Sequence, residues 1–160
     1  MIASSRLAAV FAAAALSIGA LAGCGGSSDA PASGDPAMSL EQFVTQVNAV
    51  CADAEARSDA LAVPTDAADV DGFLIEQINI AKNTADAVAA LPAPPEIASS
   101  VETMVTTWGE IVALLTTAQD NITAGEDPLA ALSGLGTEGP ALAATVTAAA
   151  TEAGLTECAK

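Results

Sequence analysis

The chain has no histidine, no tyrosine and only four basic residues in 160, Arg6, Arg57, Lys82 and Lys160. Each shortage removes a class of chemistry. Without histidine, nucleophilic catalysis of the Ser-His-Asp or Cys-His kind is excluded. Haem ligation by histidine or tyrosine goes with it, and no zinc-type ligand spacing or glycine-rich phosphate loop is present. Four scattered cations form no patch that displaces counterions from phosphates, so nucleic acid is not an expected partner. Aromatic side chains number four, Phe11, Phe43, Phe73 and Trp108. A core made from Ala, Val, Leu and Ile suits close-packed helices better than a β-sandwich.

What is abundant is acid and small apolar residues. Twenty carboxylates give a formal net charge of −16, which favours solubility and leaves cations or basic partners as the other use of the surface. The hydrophobic fraction is 52%, much of it alanine. One domain is expected from the length.

The first 23 residues have the layout of a secretory signal peptide: Arg6, an apolar run from Leu7 to Ala20, then small residues. The run is shorter than the ~20 residues that span a bilayer. Leu21-Ala22-Gly23-Cys24 resembles a bacterial lipobox. That resemblance implies a diacylglyceryl group on the Cys24 thiol and cleavage that leaves Cys24 first. Two acyl chains then give stable anchoring to the outer face of the cytoplasmic membrane. From Gly25 to Ala37 the chain is almost entirely Gly, Ser, Pro, Asp and Ala, so residues 24–38 read as a disordered tether reaching about 20 Å. The helical domain is expected over 39–160.

Four helical segments follow from periodicity. Ser39 and Gln42 fit a capping box, and Leu40, Phe43, Val44, Val47, Val50, Cys51, Ala54 and Leu61 repeat at three and four, up to Pro64. A second helix is expected from about Asp69 to Leu91, with Val70, Phe73, Leu74, Ile78, Ala81, Ala85 and Val88 inward. Pro92 and Pro94 break the chain, and Pro95 suits the first position of a third helix. That helix carries the clearest stripe, Ile97, Val101, Met104, Trp108, Ile111, Leu115, Ala118 and Ile122, which places Trp108 and Met104 in the core. After Gly125 the pattern predicts a short helix at 128–132, a flexible stretch at 133–139, and a last helix from Pro140 to about Ala153, stopped by Gly154.

With Cys24 acylated, Cys51 and Cys158 are the cysteines that remain. In an exported protein their pairing is the economical reading, and it closes an all-α up-and-down bundle. A reactive or metal-binding thiol pair is the alternative. Three phrases make the chain similar to small actinobacterial cell-envelope lipoproteins: Ala49 to Ala54 around Cys51, the break from Leu91 to Glu96, and Gly154 to Cys158. The resemblance implies fold and address, with no activity, cofactor or catalytic residue to carry over.

Asp69-Val70-Asp71-Gly72 suggests part of a calcium loop, but Ala67 and Ile78 stand where its first and twelfth ligands belong. Acids complementing a helix N-terminus, with Asp66 or Asp69 as cap, explain the same residues. Glu76, Glu102 and Glu110 fall off the apolar stripes and read as solvated. The function expected is a non-enzymatic interaction or binding module of the cell envelope, without metal or cofactor. Its rival is a carrier whose bundle opens around a lipid or other apolar ligand, with Trp108 as reporter.

Overall fold

A computed structural model describes residues 38–160. The expected signal peptide, the lipobox with Cys24 and all of the tether except Met38 lie outside the described residues. The rest is helical: α1 (Leu40–Asp59), α2 (Ala67–Ala89), α3 (Ala98–Thr123) and α4 (Pro128–Glu152), with no strand among the described residues. Short connections make the four helices an up-and-down bundle. The central element is α3, which packs against both α2 and α4, and these two also touch each other.

α1 starts where its capping box sets it. The Ser39 hydroxyl accepts from the Gln42 backbone N–H at 3.3 Å, while Gln42 Oε1 accepts from the Ser39 N–H at 3.2 Å. Two otherwise orphaned amides are thereby satisfied. Phe43, Val47 and Cys51, one turn apart, form its buried edge. The helix ends at Asp59, before Leu61, and Leu40 stays 40% exposed. The buried edge is therefore narrower than the apolar periodicity implies. α2 begins two residues earlier than expected, with Asp66 at the N-cap position but no capping hydrogen bond from its side chain. Its buried face runs through Val70, Leu74, Ile80, Thr84 and Val88, which leaves Phe73 and Ile78 half-buried. Thr84 can be buried because its hydroxyl donates to the Ile80 carbonyl at 2.8 Å.

Pro95 does not open α3. Ile97 N–H donates to the Pro94 carbonyl at 3.1 Å, so Pro94 to Ile97 form a turn and Pro95 holds its second position, where a fixed φ fits. α3 keeps the expected stripe in part: Val101, Met104 and Ala118 are buried, Trp108, Ile111, Leu115 and Ile122 are half-buried, and Ser100 and Thr107 are buried beside them. The largest departure is α4. Ser133–Gly139 is helical and continuous with the segments on either side, and Pro140 lies inside the helix. Pro140 has no amide to donate to the Gly136 carbonyl. Packing on α3 outweighs the weak propensity of Gly134, Gly136 and Gly139.

Gly154, at φ +72°, closes α4 as a Schellman turn. Its N–H donates to the Thr151 carbonyl at 3.1 Å, and Leu155 N–H donates to the Ala150 carbonyl at 2.8 Å. The turn drives Leu155 and Ala150 together into the core, both with no exposure. The tail then meets the middle of α1, where Cys158 and Cys51 form the disulfide with their Cα atoms 5.1 Å apart. No Cα of α1 lies within 8 Å of one in α3 or α4. α1 is thus held by α2, by core side chains and by the tail, rather than by backbone neighbours across the bundle.

Candidate functional site

The buried residues fall into two clusters separated along the bundle. The larger joins Phe43, Val47, Val101, Met104, Leu155 and the disulfide. The smaller joins Val70, Leu74, Ala118 and Ala131 at the other end of α2 and α3. Between them lies an open cleft of about 270 Å³. A cavity of about 150 Å³ lined by apolar side chains accommodates benzene, so this one has room for a larger apolar group.

The cleft exists because of residue size. Where the larger cluster has Phe43 and Met104, the cleft wall has Ala54, Ala81 and Ala143. The rest of the wall is mostly apolar, with Ile80 from α2, Trp108, Ile111 and Leu115 from α3, and Val146 from α4, interrupted by Thr84 and Thr147. Trp108 packs on the larger cluster with one part and lines the cleft with another, and it is only half-buried. The sequence reading of Trp108 as core is therefore half of its role.

One end of the cleft is polar. The disulfide lines it, and beside it are Glu157 and Lys160. The Lys160 ammonium pairs with Glu157 and lies 3.6 Å from Glu55 of α1. Its pKa is raised, chiefly by the hydrogen bond to Glu157, against a smaller opposing desolvation, with Coulombic attraction from Glu157 and Glu55 adding to it. Glu157 is positioned from below: its backbone N–H donates to Asn48 Oδ1 at 3.0 Å. At the far end Gln77 lines the cleft and ties α2 to α1, its Nε2 donating to Ser58 Oγ at 3.1 Å. The Thr84 hydroxyl is already spent on its own helix, which leaves Thr147 of α4 as the other hydroxyl on the wall.

The residues singled out from sequence are distributed as follows. Cys51 and Cys158 are joined, so neither is a free thiol. Asp71 Oδ1 accepts from Gln119 of α3 at 3.4 Å, an interhelical contact. Asp66, Asp69 and Asp71 form no ligand set: among the described residues no three His, Cys, Asp or Glu side chains gather as a metal site would need. Glu76, Glu102 and Glu110 are exposed. Gln77, Glu157 and Lys160 carried no signal in the sequence, because their role depends on where the tail docks. No family profile, curated protein or solved structure matches the chain.

Proposed function

We propose that this protein is a non-enzymatic, membrane-tethered binding module of the cell envelope whose ligand is an apolar molecule seated in the cleft between the two core clusters. The observation that carries the reading is the cleft itself: about 270 Å³ bounded mainly by Ala, Ile, Leu, Val and the single tryptophan. It lies at the lower edge of ordinary ligand pockets, which run from about 300 Å³. Its size suits a medium-length alkyl chain or a small ring system. A carrier fits this arrangement because apolar side chains from all four helices converge on one open cleft beside the tail.

Anchoring through a diacylglyceryl group on Cys24 is supported by the Leu21-Ala22-Gly23-Cys24 motif and the apolar run before it. No helix among the described residues is long and apolar enough to cross a membrane, so a lipid anchor is the means of attachment proposed. Native mass spectrometry of the full chain tests the ligand: a bound apolar mass that leaves on denaturation is expected. An empty protein that also fails to take up any alkyl probe, with Trp108 emission unchanged, would reject the carrier reading. Mass spectrometry of the N-terminus tests the anchor, and an unmodified Cys24 or cleavage elsewhere rejects it.

A further inference from the structure

We infer that the ligand of this cleft is a cationic amphipath, with an alkyl chain along the α3 wall and an ammonium-type head at the end defined by Glu55 and Glu157. This rests on the cleft being the binding seat and adds the chemical class of what it takes. From Trp108 to Leu115 the apolar wall runs seven residues, about 10 Å along the helix, which matches an alkyl chain of about eight to ten carbons.

The head end holds two carboxylates and one ammonium, Glu157 and Glu55 around Lys160. An anionic head would have to displace two acids from Lys160 within a chain of net charge −16. A cationic head takes the opposite course: it replaces Lys160 between the same two acids. The lysine side chain is itself a four-carbon chain ending in an ammonium, so the protein's own residue occupies the place as a short version of the ligand. Lys160 is free to give way, being half-exposed at 51%. Glu157 is not, because its backbone is fixed by Asn48 and the next residue is disulfide-bonded to α1. The fixed acid and the displaceable cation together make a head-group seat. The acidic surface around it also draws cations in from solution.

The experiment uses the chain from its expected mature start at residue 24, carrying Cys24→Ser, so that neither an acyl group nor the apolar run from Leu7 to Ala20 competes, and follows Trp108 emission and calorimetry below micelle-forming concentrations. The probes are decyltrimethylammonium, decanoate and 1-decanol. Decyltrimethylammonium is expected to bind at least tenfold more tightly than decanoate. Glu157→Gln should weaken it by about fivefold, the effect of losing one partly exposed ion pair, and Glu55→Gln should weaken it by less. Lys160→Gln should tighten it, since the internal competitor is gone, and should leave 1-decanol unaffected. Circular dichroism melts check that each variant is folded, and Glu55→Gln, on an exposed side chain, stands in if Glu157→Gln loosens the tail. If decanoate or 1-decanol binds as well as the cation, or if Lys160→Gln weakens the cation, the head-group assignment is overturned while the cleft remains a binding site. If none of the three binds, the carrier reading falls, and this inference with it.

Discussion

Asn48 and Glu157, 109 residues apart in the chain, meet through one hydrogen bond from the Glu157 backbone N–H to Asn48 Oδ1 at 3.0 Å. This bond, with the disulfide beside it, sets the tail against α1. Asn48→Ala leaves a half-buried amide without an acceptor and is expected to cost about 1–2 kcal/mol. A drop in melting temperature of roughly 3–8 °C follows from ordinary unfolding entropies. An unchanged melt would mean that the disulfide holds the tail unaided.

Reduction of Cys51–Cys158 should act mainly on α1. The bond closes a loop of 107 residues, worth about 4–5 kcal/mol in the chain-entropy account. Because α1 has no backbone neighbour in α3 or α4, hydrogen exchange under reducing conditions is expected to accelerate in α1 far more than in α3. Equal acceleration in both helices would show that the disulfide stabilises the bundle without local preference.

Two glycines should respond to alanine with opposite signs. Gly154 sits at φ +72° and a Cβ there would meet open space, so Gly154→Ala is penalised by the backbone alone, about 1–2 kcal/mol. Gly109 lies within α3 with equally open space around it and no positive φ. Gly109→Ala should therefore stabilise by about 0.5–1 kcal/mol. Chemical denaturation of the two variants side by side checks both signs.

Pro140→Ala should raise stability. Within α4 the proline removes one helical hydrogen bond and crowds the preceding turn, at a cost of up to about 3 kcal/mol. Restoring the amide is expected to move the urea midpoint upward with an unchanged slope. A lower midpoint would mean that α4 is broken near Pro140 in solution, as its sequence suggests.

The Lys160 pairing gives a pH dependence of definite sign. Its folded pKa is raised above 10.5, so the stabilisation is fully present below the unfolded value and is lost as pH rises through the folded one. The difference in melting temperature between the protein and Lys160→Gln should be constant at neutral pH. It should shrink at strongly alkaline pH. A difference that instead shrinks between pH 5 and 7 would assign the effect to other groups.

Where one helix face alone decides the structure, sequence periodicity located it. α1 begins at its capping box, and the α3 stripe from Ile97 to Ala118 is the one that packs. The same logic failed on α2, where Ile80 and Thr84 are buried and Ile78 is only half so. A threonine that bonds its own helix reads as polar in sequence yet behaves as filler in the core. It failed more widely on α4, since three glycines and a proline weaken local preference and packing on α3 restores the helix. The Cys51–Cys158 pair was legible from counting, but the cleft was not. Its walls are alanines and ordinary apolar helix residues, and its charged end is assembled by Asn48 and a tail whose path no local pattern encodes.

The disulfide joins residue 51 to residue 158, which makes everything from the middle of α1 to the end of the chain a covalent ring with two residues left over. A protease that nicks the exposed turn at Gly125 and Glu126 opens the ring without freeing either half. One cut within the ring therefore leaves a single covalent molecule, and release of a fragment takes two.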